Sequence, residues 1–116
     1  MTRFAIVTVI HDSAVDLERL LDSLDLLEER PPVVAVDSGS SDAGGALAAG
    51  LAAEVVDLGE NRGFGAGCNA GLELVEAPVT ALVNPDVELL DAGLARLADE
   101  AADRDALLAP RLLSRD

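Results

Sequence analysis

At 116 residues with a formal net charge of −14, the chain fits one domain (residues 1–116) and lacks the basic stripe that nucleic-acid binding requires. All eight basic residues are Arg, which excludes a Walker-A lysine and Schiff-base chemistry. The single Cys68 excludes an internal disulfide and suits a reducing compartment, so we expect a cytoplasmic protein.

Apolar segments rich in β-branched residues predict the strands of a buried sheet. The first segment is too short to span a membrane and has no signal-peptide cleavage site, which fits a cytoplasmic location. The predicted strands are residues 4–10, 33–36, 54–58, 79–83 and 106–113.

The first predicted helix begins at Ser13, which forms a capping box with Asp16 and is followed by leucines at helical spacing. Pro31 and Pro32 end it. The leucines that share its apolar face are Leu17, Leu20, Leu21, Leu24 and Leu27.

Three further helices are predicted in the remaining connections. One runs to about Leu51, one covers residues 64–75, and Asp91 caps the last, which carries Leu94, Leu97 and Ala101 on one side. Strands that alternate with helices at this spacing predict right-handed βαβ units. The expected fold class is α/β, a doubly wound, mostly parallel sheet with flanking helices.

Polar loops follow four of the predicted strands, and ligands of such sheets bind beyond the carboxyl ends of the strands. Asp37 ends the second strand, where its carboxylate can accept a hydrogen bond from a uracil or thymine imide N–H or from a ribose hydroxyl. Turn formation or capping is the alternative role. His11 follows the first strand and is either a polar loop residue or a nucleobase contact.

The third polar loop is rich in glycine. Gly63, Gly65 and Gly67 allow close backbone approach at a helix start, and Arg62 after Asn61 adds a positive charge that a diphosphate would attract. Glycines that serve only packing are the alternative. In dinucleotide-binding proteins the glycine fingerprint follows the first strand, whereas the glycines of this chain follow the third. A nicotinamide or flavin cofactor is therefore not expected.

The fourth polar loop is Asn84-Pro85-Asp86. A carboxylate just beyond a buried strand suits Mg²⁺ or Mn²⁺ that is bound jointly with substrate phosphates. A plain Asn-Pro-Asp turn is the alternative.

Taken in order, four segments resemble the N-terminal half of family 2 glycosyltransferases of the GT-A fold, including rhamnosyltransferase-like members. The resemblance implies that Asp37 binds the base, that residues 61–63 lie near the nucleotide, and that Asp86 holds the metal on a UDP- or dTDP-sugar. His11 and Asp12 depart from the Tyr-Asn of that family pattern. The segments are residues 10–13, 36–42, 61–71 and 84–87.

The resemblance also implies that a glycosyltransferase of this kind continues past residue 116 into strands that supply the acceptor site and a general base. We therefore assign no catalytic base, and we expect the donor-binding part of an inverting enzyme whose acceptor is an unknown glycan or lipid-linked group. A sheet edge left open would promote a homo-oligomer.

Two other functions stay open. One is a nucleotide-sugar-binding or assembly module without transfer activity. The other is a sugar-1-phosphate nucleotidyltransferase, which would have a glycine-rich basic loop after its first strand, where this chain has His11-Asp12-Ser13.

Overall fold

The computed structural model describes residues 3–51 and 53–114. Its centre is one sheet of four parallel strands in the order β3-β2-β1-β4, which confirms the predicted α/β fold class. Each connection crosses over through a helix, as parallel strands require. The strands are β1 (Phe4–Ile10), β2 (Val33–Asp37), β3 (Glu54–Asp57) and β4 (Val79–Leu82).

The four predicted helices are present, with shorter ends than the sequence indicated. The first helix gives way to a 3₁₀ turn, Leu24–Leu26, well before the two prolines. No helix in the described part of the chain is long and apolar enough to cross a membrane. The helices are α1 (Ala14–Ser23), α2 (Gly44–Gly50), α3 (Phe64–Leu72) and α4 (Gly93–Arg104).

Helices cover both faces of the sheet. Alternate residues of β1 point to opposite faces, so Ile6 and Ile10 pack with α1, α2 and α4, whereas Val7 packs on the α3 side. All five leucines of the predicted apolar face are buried, and Leu17, Leu21, Leu24 and Leu27 belong to the first cluster. The central strands are buried on both faces, which explains their continuous apolar sequence.

The other face depends on the small residues of α3. A β-carbon built on Gly71 would lie 2.5 Å from Val7 Cγ1, and one on Gly67 would lie 2.8 Å from Val9 Cγ1. The backbone of α3 therefore rests directly on the valines of β1. Cys68 is buried beside this contact, and burial raises the pKa of its thiol, which keeps it an inert packing group.

The predicted capping box at α1 is wrong. Ser13 makes no side-chain cap bond, because its hydroxyl donates to the carbonyl of His11 at 2.8 Å. The amide of Ala14 donates instead to Asp42 Oδ2 at 3.1 Å, across from the loop after β2. The first backbone amide of α1 is therefore hydrogen-bonded by a residue that is distant in sequence, and a local sequence pattern does not predict such a partner.

The predicted fifth strand is also wrong. Residues 106–113 form neither helix nor strand, and Leu107, Leu112 and Leu113 are exposed. An apolar strand needs a neighbour to accept its backbone hydrogen bonds. The sheet order ends at β4, and no described segment lies beside residues 106–113 as a strand partner.

We predict that Gly71→Ala lowers the free energy of unfolding by about 1–3 kcal/mol, because the added methyl overpacks the contact between α3 and β1. Gly65→Ala is the matched control in the same helix, since no atom outside its immediate surroundings lies within 4 Å of the added carbon. It should leave stability unchanged or raise it by up to about 1 kcal/mol. Urea unfolding followed by circular dichroism measures both, and equal stability of the two variants would contradict the packing argument.

Candidate functional site

The sheet brings the ends of three strands to one level. Ile10, Asp37 and Asp57 are paired across β1, β2 and β3, so the loops that follow leave the sheet side by side. We call the loops at residues 11–13, 38–43 and 58–63 the loop cluster. Hydrogen bonds join all three, and they hold five of the six predicted site residues at or beside this cluster.

Ser38, which was not among the site residues predicted from sequence, is the centre of the loop cluster. It is buried, and its amide donates to the carbonyl of Ile10 at 2.8 Å. Its hydroxyl donates to Asn61 Oδ1 at 3.3 Å and accepts from the amide of Arg62 at 3.3 Å. The hydroxyl of this one small residue therefore connects the loops after β2 and β3, and its backbone amide ties them to the end of β1. A serine directly after a buried strand was the available signal.

Asp12 joins the first two loops from the outside. Its Oδ1 accepts from the amide of Ser41 at 2.6 Å, from the Ser41 hydroxyl at 3.2 Å and from the amide of Asp42 at 3.3 Å. Its own amide donates to Ser40 Oγ at 3.1 Å. The hydrogen bond from the Ser41 amide holds the pKa of Asp12 below its ordinary value, because it stabilises the ionised carboxylate.

His11 lies between the first two loops with its side chain half exposed. Its Nδ1 is 2.8 Å from the carbonyl oxygen of Ser38. Because a carbonyl only accepts, Nδ1 carries a proton and donates this bond. Its Nε2 lies 3.6 Å from Asp12 Oδ2. The ring is thus fixed at the rim of the loop cluster.

Asp37 performs the turn role that was the alternative to base binding. Its Oδ1 accepts from the amide of Ser40 at 2.9 Å, and its carbonyl accepts from the amide of Leu58 at 2.9 Å. Its Oδ2 makes no hydrogen bond within residues 3–51 and 53–114. This oxygen is only 3.0 Å from the place where a β-carbon on Gly45 would stand, so the glycine leaves room for the carboxylate.

The third loop ends at the start of α3. Asn61 Oδ1 accepts from the amide of Gly63 at 3.0 Å, and Gly63 has a φ of +86° and open space around it. The Arg62 side chain is half exposed, and its Nε donates to Glu60 Oε1 at 3.1 Å. The positive charge predicted to attract a diphosphate is therefore paired with a carboxylate, which a ligand would have to displace.

Asp86 lies on an exposed turn after β4, closed by a bond from the amide of Val87 to the carbonyl of Asn84 at 3.2 Å. The β4 strand pairs in parallel with β1 on the side opposite β2, so Asp86 and Asp37 follow the carboxyl ends of strands on either side of β1. With about 4.8 Å between neighbouring strands, β2 and β4 are roughly 10 Å apart. No hydrogen bond among the described residues joins Asp86 to the loop cluster.

No group of three His, Cys, Asp or Glu residues in the described ranges is arranged to hold a metal ion. A protein-only metal cage is therefore absent from that part of the chain. A single exposed carboxylate fits the other mode of Mg²⁺ or Mn²⁺ binding, in which substrate phosphates complete the coordination. Asp86 is a hard oxygen donor of that type.

Two surface grooves lie away from the loop cluster. One of about 490 Å³ runs between α1 and residues 88–89, and one of about 460 Å³ lies at the opposite, amino-terminal edge of the sheet beside Glu54 and Glu73. Neither groove is lined by His11, Asp37 or Asp86. Both grooves therefore lie outside the candidate site.

An open parallel sheet with helices on both faces and polar loops at its carboxyl edge defines a doubly wound α/β protein of Rossmann-like type. The family model described as glycosyl transferase family 2 matches residues 5–115, and the chain belongs to that family. A comparison with curated protein sequences gave no significant match.

Solved structures share the fold. S. aureus TarS, residues 1–349, is 23% identical with a TM-score of 0.76 over 90% of this chain. A mannosyltransferase from Pyrobaculum calidifontis, in complex with GDP-Man and Mn²⁺, is 22% identical with a TM-score of 0.78 over 87%. Glucosyl-3-phosphoglycerate synthase from Mycobacterium tuberculosis, in complex with UDP, is 19% identical with a TM-score of 0.62 over 72%.

The similarity covers only part of these larger proteins. This chain spans 33% of the TarS chain, 32% of the mannosyltransferase and 34% of the synthase. The shared portion has the GT-A, Rossmann-like fold. The sequence-based expectation of a family 2 glycosyltransferase with a GT-A fold is confirmed.

We predict that Gly39→Ala is more harmful to the loop cluster than Gly59→Ala, although both glycines have a φ of +74°. Both substitutions introduce left-handed strain of about 1–2 kcal/mol. Only at residue 39 would the new carbon also stand 2.8 Å from the amide nitrogen of Asn61, adding about 1–3 kcal/mol of overpacking. Thermal unfolding of both variants measures the difference, and equal losses would show that the two loops do not need this close approach.

Proposed function

We propose that this chain forms the donor-binding part of an inverting glycosyltransferase that takes a UDP- or dTDP-sugar together with Mg²⁺ or Mn²⁺. The observation that carries the proposal is the placement of Asp37 and Asp86 on either side of the β1 carboxyl end, with the loop cluster between β1 and β3. Solved proteins with this fold include complexes with UDP and with GDP-Man and Mn²⁺, which supports a nucleotide sugar as ligand.

Asp37 and His11 form the nucleoside end of the proposed site. The turn engages Asp37 Oδ1, which leaves Oδ2 to accept from an imide N–H or a ribose hydroxyl. His11 is fixed through Nδ1, so its half-exposed ring presents Nε2 to the same edge. Both groups act by accepting hydrogen bonds from the ligand, and a uracil or thymine ring offers the imide donor that cytosine lacks.

Arg62 and the turn of Asn61 and Gly63 form the diphosphate end. Backbone amides at the start of α3 point away from the helix, and the helix dipole favours an anion there. A diphosphate would also compete with Glu60 for the Arg62 guanidinium. Because the chain carries a net charge of −14, a divalent cation is needed to offset the repulsion of the ligand.

Asp86 is the proposed protein ligand of that cation, with phosphate oxygens and water completing its coordination. When bound, the cation would neutralise charge on the diphosphate leaving group. The chain's own contribution is to hold the donor: Asp37 orients the nucleoside and Arg62 pairs with the phosphates. We assign no general base, and the acceptor remains an unspecified glycan or lipid-linked group.

We place the protein in the cytoplasm, since its one thiol is free and buried and forms no disulfide. Self-association through the β4 edge is a further expectation. A binding or assembly module without transfer is the second candidate function, because the residues described above hold a donor and none of them is assigned as a general base. Release of nucleoside diphosphate from a sugar donor and acceptor by this chain would exclude that candidate.

We predict that UDP raises the melting temperature of the wild-type chain more in the presence of Mn²⁺ than in its absence. At about 100 times its Kd, a ligand stabilises a fold by about 2.7 kcal/mol. Asp86→Ala should remove the metal-dependent part of the shift and keep the part that UDP gives alone. The exposed carboxylate of Asp25, on the 3₁₀ turn after α1, provides the control variant Asp25→Ala. A metal-dependent shift that survives in Asp86→Ala would remove the metal assignment.

We predict that Asp37→Asn weakens UDP binding about tenfold, because one good acceptor becomes a donor in front of the imide N–H. The amide oxygen still accepts from Ser40, so the turn is kept. Asp57→Asn is the matched control, since Asp57 pairs with Asp37 in the sheet and also accepts a local amide bond, from Gly59 at 2.8 Å. Isothermal calorimetry with UDP and CDP measures both variants. Unchanged discrimination between the two nucleotides in Asp37→Asn would contradict a base contact at Asp37.

A further inference from the structure

We propose that Asp12 is a positioning residue for nucleotide binding: it fixes the loop after β2 so that Asp37 presents Oδ2 to the ligand. This inference rests on the proposed function. Asp12 departs from the Tyr-Asn pattern of the family resemblance, and sequence analysis gave it no role. It acts through its hydrogen bonds to the neighbouring loop.

Asp12 makes several hydrogen bonds to the loop after β2. Oδ1 of Asp12 accepts from the Ser41 amide, the Ser41 hydroxyl and the Asp42 amide, and the Asp12 amide donates to Ser40 Oγ. Three consecutive residues of the second loop are therefore bound to one residue of the first. The partners are 28 to 30 positions away in sequence, so the bonds define how the two loops lie against each other.

The hydrogen bonds from Asp12 to residues 40–42, which we call the clamp, are linked to Asp37 through Ser40. Ser40 accepts from the Asp12 amide through its hydroxyl and donates to Asp37 Oδ1 through its own amide, at 3.1 and 2.9 Å. The orientation of the Asp37 carboxylate is thus set by a residue that Asp12 holds in place. Without the bonds from Asp12, Ser40 would be free to turn away, and Asp37 would lose the hydrogen bond that fixes the orientation of its carboxylate.

The backbone of Asp12 is left-handed, with a φ of +49°. Left-handed backbone is unfavourable for most side chains, and Asp and Asn tolerate it best. The conformation aims the side chain across at Ser41 while the amide reaches Ser40. An asparagine at this position would have the same backbone preference and the same acceptor oxygen, so a conservative substitution can separate geometry from charge.

The test compares Asp12→Ala with Asp12→Asn in the full chain. UDP affinity with Mn²⁺ is measured by calorimetry, and hydrogen exchange is measured at the Ser41 and Asp42 amides without nucleotide. We expect Asp12→Ala to weaken UDP binding about tenfold, and Asp12→Asn to stay within about threefold of wild type. Exchange at both amides should accelerate in Asp12→Ala and stay protected in Asp12→Asn.

Asp91→Ala is the matched control, because Asp91 Oδ1 accepts a comparable bond from the Gly93 amide at 2.7 Å, at the start of α4. It should bind UDP as wild type does. Ser40→Ala is a second probe in case Asp12→Ala does not fold: it removes the acceptor of the Asp12 amide and should weaken UDP binding while the Ser41 amide stays protected.

Wild-type UDP affinity in Asp12→Ala would overturn the proposal, because Asp12 would then have no role in binding. An equal loss of affinity in Asp12→Asn and Asp12→Ala would also overturn it, because the effect would then come from the charge of Asp12 and not from its hydrogen bonds. If the wild-type chain binds no UDP, the proposed function fails separately. The clamp is then judged by exchange alone: protection that is lost in Asp12→Ala and kept in Asp12→Asn supports it, and unchanged protection overturns it.

Discussion

The parallel pairing of β1 with β2 on one side and β4 on the other is the constraint on which the candidate site depends. Backbone hydrogen bonds in a parallel sheet fix which residues end level, and here they align Ile10, Asp37 and Asp57. Polar residues that are remote in sequence therefore emerge at one edge. The cores on both faces hold this alignment, because all but one residue of β1 and all but one of β2 are buried, and the strands cannot shift register without exposing their apolar side chains.

The loops above this edge are held mainly by carboxylates that accept backbone amide bonds. Asp37 binds the Ser40 amide, Asp12 binds the amides of Ser41 and Asp42, and Asp42 Oδ2 binds the Ala14 amide at the start of α1. Each bond satisfies an amide that would otherwise lack a partner. The same carboxylates make the edge electronegative, so a diphosphate gains little there from the protein alone. The acidity that orders the loops is the physical reason a cation is required in the proposed function.

The sequence was sufficient to predict the strands of the sheet but not the hydrogen bonds between the loops. Continuous apolar runs predicted the four observed strands, since burial on both faces leaves a strong signal in single segments. The capping box at Ser13 failed because Asp42, far along the chain, satisfies the Ala14 amide. The fifth strand failed because a strand is defined by its neighbour, and apolar character in residues 106–113 does not supply one. The roles of Ser38 and Asp12 were not predicted, because their hydrogen-bond partners lie on other loops and come close only when the strands are aligned.

The two ends of the proposed site differ in how firmly the fold supports them. The loop that carries Asp37 leaves a strand enclosed by β1 and β3 and is cross-linked by Asp12 and Ser38. Asp86 follows β4, a four-residue edge strand whose Leu82 is half exposed, and its loop is held to the helical layer by the bond from Leu89 to Ser23 Oγ at 3.0 Å. A ligand bound across β1 would therefore meet a nucleoside end that several hydrogen bonds between loops hold in place, and a metal end on an exposed turn that fewer bonds hold. Because groups held in place before binding lose less entropy when the ligand arrives, the nucleoside end favours affinity more than the metal end does.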